Sequence, residues 1–134
     1  MTRTIALWTA RQVAKATGGR AGGDFRATGV AIDSRSTCTG DLFIAVRGPN
    51  HDGHDFVTDA LDRGAAGAIV SRFPKGVSEE ACLVFVDDTR EALYALAREA
   101  RRRNSGRLAA ITGSVGKTGT KEALGTVLSP RAKT

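Results

Sequence analysis

Residues 111–122 read Ile-Thr-Gly-Ser-Val-Gly-Lys-Thr-Gly-Thr-Lys-Glu and follow the apolar run Leu108-Ala-Ala-Ile111. A buried strand, a glycine-bearing turn, a Lys-Thr pair and then a helix is the arrangement that cradles nucleotide phosphates. Glycine lets backbone N–H groups face a common centre, and a helix N-terminus adds free donors and a positive dipole end. In this reading Gly113, Ser114, Val115, Gly116 and Gly119 shape the phosphate cup. Lys117 reaches the terminal phosphates and the Thr118 hydroxyl holds Mg²⁺. The longer pattern G-x-x-x-x-G-K-[ST] wants glycine where Ile111 stands, so the loop is the shorter G-x-x-G-K-T, counted from Gly113. The competing reading is a glycine turn between strand and helix with Lys117 merely exposed.

Two other segments concentrate reactive types. His51-Asp-Gly-His-Asp55 offers metal-ligand chemistry, but metal sites usually gather ligands from more than one segment and both cysteines lie elsewhere. A substrate-facing loop carrying Asn50, Asp52 and His54, bent tightly at Gly53, is the stronger reading. Asp33-Ser-Arg35 places a hydroxyl, Ser34, beside a guanidinium, Arg35. That pair suits uracil or diphosphate oxygens, and equally an ordinary polar turn with a surface arginine.

The elements that must position these groups alternate between helix and strand. Thr9 caps a helix through Ala16 that ends at Gly18-Gly19. Thr28-Gly-Val-Ala-Ile32 and Leu42-Phe-Ile-Ala-Val46 read as strands, the second fully buried. Asp55 is the expected cap of a helix bearing Phe56, Val57, Ala60 and Leu61 on one face and stopping at Gly64. Strands follow at Ala68-Ile-Val70 and Leu83-Val-Phe-Val86. Thr89 opens the longest helix, which carries Leu93, Leu96, Ala97 and Ala100 on one stripe and breaks at Asn104-Ser-Gly106. Trp8 is either core or a substrate contact.

Composition narrows the function classes. The 134 residues are 25% charged and 41% hydrophobic, which suits a folded chain, and no apolar run approaches a membrane span. The N-terminal segment has no stretch apolar enough for an export signal, so Cys38 and Cys82 are expected as reduced thiols in a cytoplasmic protein. The net charge of +6 is uneven: residues 1–89 carry 10 Lys+Arg against 11 Asp+Glu, and residues 90–134 carry 10 against 3. The only aromatic after residue 90 is Tyr94. A nucleic-acid partner wants stacking residues among its charges, so a solvated basic helix plus a phosphate site is favoured.

The ordered blocks Asp33-Ser-Arg35, Gly40-Asp-Leu-Phe-Ile-Ala-Val46, Gly48-Pro-Asn-His-Asp-Gly-His-Asp-Phe56, residues 60–66 and residues 110–122 together resemble the Mur ligase family. The loop Thr-Gly-Ser-x-Gly-Lys-Thr followed by Thr-Lys-Glu resembles the branch that joins D-alanyl-D-alanine to a UDP-N-acetylmuramoyl tripeptide. The sibling adding the third amino acid usually has Thr-Asn in place of Ser114-Val115, and Gly119 stands where Thr is commoner. The resemblance implies an ATP- and Mg²⁺-dependent, ADP-forming ligase of peptidoglycan precursor synthesis, working through an acyl phosphate and serving cell wall biogenesis, cell shape and cell division. It implies Lys117 and Thr118 as catalytic, and Ser34, Arg35, Asn50, Asp52 and His54 at the UDP site. The expected fold is α/β: a UDP-precursor-binding domain over residues 1–87, then the first strand, phosphate loop and helix of an incomplete ATP-binding domain over residues 88–134. Such a chain is expected to be monomeric and inactive alone. The remaining alternatives are the sibling Mur ligase that adds the third amino acid, or a non-catalytic UDP- or nucleotide-binding module.

Overall fold

Strands that alternate apolar side chains to both sides need cover on both faces, and the computed structural model, which describes residues 5–106, supplies it. The chain forms strand β1 (Trp8–Thr9), helix α1 (Ala10–Thr17), strands β2 (Arg20–Ala21), β3 (Arg26–Ala27), β4 (Gly29–Ala31) and β5 (Asp41–Ile44), helix α2 (Val57–Asp62), strands β6 (Gly67–Val70) and β7 (Leu83–Phe85), and helix α3 (Thr89–Arg103). The main sheet has the order β2-β7-β6-β5-β4. Strands β4 to β7 are mutually parallel, and β2 closes one edge antiparallel to β7. A second, two-stranded ribbon pairs β1 with β3, with Trp8 opposite Ala27.

Period-two alternation along the parallel strands feeds two cores. Leu42, Ile44, Ile69 and Val84 pack with Trp8, Val13 and Leu96, under α1 and α3. Phe43, Ala45, Ala68, Val70 and Leu83 pack with Val57 and Ala60 of α2. A one-residue slip of any strand would exchange these faces, which fixes the register. Helix α1 starts as expected: the Thr9 hydroxyl and the Gln12 side chain form a reciprocal capping box, and Gly18 ends the helix at φ 72°.

Several expectations need correction. The helix after the His/Asp loop is capped neither by Asp55 nor as one element. Asp52 caps a 3₁₀ turn over Gly53–Phe56, and α2 continues from it. Thr89 opens α3, but the cap is Asp88, whose carboxylate accepts from the Arg90 and Glu91 amides at 2.8 and 3.1 Å. The buried strand stops at Ile44, because the Val46 amide turns back to the Ile44 carbonyl at 2.9 Å. The strand expected over 28–32 is shortened to β4, Gly29–Ala31, which lies at the sheet edge and leaves Val30 and Ile32 exposed, while β3 just before it joins the other ribbon. Trp8 is core, 4% exposed, with the Arg103 guanidinium 4.0 Å above its ring. Both cysteines are free; the Cys82 thiol donates to the Asp24 carbonyl at 3.0 Å.

The compact unit runs past residue 87 to Asn104. Helix α3 belongs to it physically because Ala92 and Leu96 are buried in the same core as α1. The expected strand, phosphate loop and helix of residues 108–128 lie outside the described residues. Among the described residues no helix is long and apolar enough to cross a membrane. Leu96→Ala is expected to destabilise the unit by about 2–5 kcal/mol, read by urea denaturation, since it empties a core position shared by α1, α3 and the sheet.

Candidate functional site

Four parallel strands deliver the loops that follow them to one edge of the sheet, the carboxyl edge where open α/β sheets bind ligands. After β4 comes the turn with Ser34 and Arg35, after β5 the segment 45–56, after β6 Ser71 and Arg72, and after β7 Asp87 and Asp88. A cleft of about 480 Å³ opens there, lined by Arg47, Gly48, Pro49, Asp88, Thr89 and Arg90. That size suits a small-molecule ligand. Its two walls are tied together where Arg90 Nη2 donates to the Arg47 carbonyl at 3.0 Å.

The Ser34 and Arg35 turn is organised by Asp33. Its carboxylate accepts from the Arg35 amide at 2.9 Å and pairs with the guanidinium at 2.8 Å. Those bonds hold the Asp33 carboxyl down to about 2. Arg35 itself is 85% exposed at its side chain. Ser34 is buried, and its hydroxyl's influence on Asp59 of α2 lowers that carboxyl's pKa. The structure therefore leaves Arg35 facing solvent and turns Ser34 inward.

The segment after β5 folds on itself. Arg47 and Asp52 form an antiparallel bridge, the Gly48 amide donates to the His51 carbonyl at 2.8 Å, and the Gly53 amide donates to the Val46 carbonyl at 3.0 Å. Gly53 is required: a Cβ there would sit 2.7 Å from the Val46 nitrogen and 2.8 Å from the Ala45 carbonyl carbon. Asn50 is exposed at the tip. His51 packs edge-on against Phe56, with ring centroids 6.3 Å apart. His54 is 4% exposed, with Nδ1 2.6 Å from Asp52 Oδ1 and Nε2 accepting from the Ser71 amide at 2.9 Å. Asp52 also accepts from the His54 amide at 3.0 Å and from Arg72 at 3.1 Å.

Ser71 Oγ lies 3.2 Å from Nε2, so the order Ser71, His54, Asp52 has the outline of a hydrolytic triad. The Ser71 amide occupies the Nε2 lone pair, and the ring is left without the base such a triad needs. Among the described residues no cluster of His, Cys, Asp and Glu is arranged to hold a metal ion. Arg47, Ser71, Arg72 and Arg90 were not singled out by sequence. Their roles depend on pairings between distant loops, and the one visible signal was an arginine directly after a buried apolar strand. Gly113 to Gly119, with Lys117 and Thr118, lie outside the described residues.

A sequence model described as Mur ligase family, catalytic domain, matches residues 26–101. The chain belongs to the Mur ligase family. The UDP-N-acetylmuramoyl-tripeptide–D-alanyl-D-alanine ligase of Rickettsia prowazekii is 38% identical over 118 residues, which is 88% of this chain and 26% of that protein. The chain thus spans about a quarter of that relative. The UDP-N-acetylmuramoylalanyl-D-glutamyl-2,6-diaminopimelate–D-alanyl-D-alanyl ligase of Acinetobacter baumannii, a solved structure, superposes with a TM-score of 0.75 at 36% identity, covering 98% of this chain and 30% of that one. The MurF ligase of Thermotoga maritima, solved with ADP, superposes with a TM-score of 0.55 at 36% identity, over 77% of this chain and 23% of that one. The α/β architecture of the described unit is that of the family's N-terminal domain, as the ordered sequence blocks imply.

Burial pushes the Asp52 carboxyl up, but the His54 amide and ring and the Arg72 guanidinium outweigh it and hold the group well below the ordinary carboxylate range. A folded-state pKa below the unfolded one adds stability that is present above about pH 4 and lost as pH falls below it. Asp52→Asn is therefore expected to be less stable than the parent at neutral pH. The gap should narrow between about pH 4 and pH 2, read from urea midpoints across that range.

Proposed function

We propose that the chain is the precursor-binding part, with the start of the ATP-binding part, of a ligase that joins D-alanyl-D-alanine to a UDP-N-acetylmuramoyl tripeptide. The observation that carries the reading is the cleft at the carboxyl edge: it lies within the family match and is rimmed by Arg47 and Arg90, whose charge suits a nucleoside diphosphate. The names of the relatives support the tripeptide and dipeptide substrates, and the ADP of the Thermotoga structure supports ATP as the phosphoryl donor.

In this reaction the terminal carboxylate of the tripeptide takes the γ-phosphoryl group of ATP, and the amine of D-alanyl-D-alanine then displaces phosphate to form the amide. The unit that runs to Asn104 grips the uridine end of the precursor, a remote attachment that orients the reacting carboxylate without touching it. Arg35, Arg47 and Asn50 face that end. Ser34, Asp52 and His54 act from behind them by shaping the loops. Residues 113–119 would cradle the ATP phosphates, with Lys117 toward the terminal phosphates and the Thr118 hydroxyl as the group that would hold Mg²⁺, which would neutralise their charge.

Titrating the 134-residue chain with UDP-N-acetylmuramoyl tripeptide is expected to shift the NMR signals of Arg35, residues 47–52 and Arg90. Arg47→Ala is expected to weaken binding about tenfold, the loss of one charge-assisted hydrogen bond. Shifts confined to residues outside the carboxyl edge would overturn the reading. Lys117→Ala is expected to abolish ATP binding measured by calorimetry while leaving the precursor titration unchanged.

A further inference from the structure

The segment 45–56 forms one wall of the cleft, and its turns are closed from within by the Gly48, Gly53 and Asp55 amides, which donate to His51, Val46 and Asp52. At its start the Ala45 amide donates to the Ile69 carbonyl of β6 at 3.0 Å; beyond residue 46 its tie to the end of that strand runs through the side chains of His54 and Asp52. His54 comes from the 3₁₀ turn, is 3% exposed at its side chain, and reaches across to Ser71 directly after β6. Asp52, two residues earlier, reaches the same loop at Arg72.

A backbone amide can only donate, so the 2.9 Å bond from Ser71 leaves Nε2 without a proton, and the Nδ1 proton then points at Asp52 Oδ1, 2.6 Å away. One imidazole thereby satisfies an acceptor in its own loop and a donor in the next. No buried polar side-chain atom among the described residues lacks a partner, so the ring has no capacity left for a ligand.

We propose that His54 is a positioning residue, a latch held in the Nδ1–H tautomer that fastens the residue 47–52 wall of the cleft to the end of β6. It does not touch substrate; it sets where Arg47 and Asn50 stand. The effect on precursor affinity rests on the proposed function, whereas the fastening itself does not.

Proton–nitrogen correlation spectra of the unliganded 134-residue chain are expected to show His54 protonated at Nδ1 and bare at Nε2. In His54→Ala, hydrogen exchange at the Ser71, Gly48 and Gly53 amides is expected to accelerate about tenfold more than at Ile69 and Val84 in the sheet. His54→Gln, which places an acceptor where Nε2 was, should restore Ser71 protection. His54→Asn, which places a donor where Nδ1 was, should not. Val13→Ala serves as a control that lowers global stability through the core. A proton on Nε2, or exchange that rises uniformly in the His54 variants as it does in the control, would overturn the latch. Should His54→Ala fail to fold, the contrast between Gln and Asn decides alone. With UDP-N-acetylmuramoyl tripeptide as probe, His54→Ala should bind about tenfold more weakly and His54→Gln should recover part of that loss. If the parent chain does not bind the precursor, the substrate reading fails and the exchange pattern still decides the latch.

Discussion

Burial of both faces of the β5 and β6 strands is the constraint from which the rest of the described structure follows. Leu42 and Ile44 point into one core while Phe43 and Ala45 point into the other, and all four are 0–1% exposed. Each large side chain so buried contributes on the order of 1.5–3 kcal/mol relative to exposure. A sheet buried on both faces needs cover on both sides, and helical crossovers between parallel neighbours supply it. Parallel strands send all their following loops to the same edge. The clustering of polar loops at the carboxyl edge is thus a consequence of apolar alternation in the strands rather than of any attraction among the loops.

Once the loops are gathered, carboxylates organise them. Asp33, Asp52 and Asp88 each accept a backbone amide two residues on, at 2.9, 3.0 and 2.8 Å, and each begins a helical turn. Every one of these short caps removes an unsatisfied amide at the first turn and leaves the following backbone fixed. The acids at this edge are therefore largely spent on architecture. Arg35 and Arg90 lean on that architecture, through Asp33 and the Arg47 carbonyl respectively. In the proposed reading, an anionic ligand would meet arginines whose backbones have been set by acids already engaged in capping turns.

This division of labour explains what was legible in the sequence. Periodicity placed the buried strands and the three helices of the described residues, because those signals are local and strong: the Thr9 and Gly18 boundaries of α1 follow from residue type alone. The two-residue strands β1, β2 and β3 carry no periodic signal, and only long-range pairing creates them. Asp55 and Asp52 are equally good caps by type. The choice fell to Asp52 because Gly53 can press against the backbone of residues 45 and 46, where a side chain cannot fit. The boundary near residue 87 followed a change in charge, which is a surface property, whereas α3 joins the first unit through Ala92 and Leu96, which are core. Charge marks where solvent lies, not where a domain ends.

His54 shows why residue type misleads at such an edge. A histidine in a Gly-, Asp- and Asn-rich loop has the composition of a ligand contact, and its exposed neighbour His51 shares that composition. What separates them is the Ser71 amide, seventeen residues away in sequence and 2.9 Å away in space. A donor that cannot become an acceptor dictates the tautomer, the tautomer dictates the partner, and the partner, Asp52, is the cap of the turn on which His54 itself stands. The loop is closed by a circuit in which each group fixes the next. Replacing any one of them by a residue of similar size but different hydrogen-bonding pattern would leave a buried donor or acceptor unpaired.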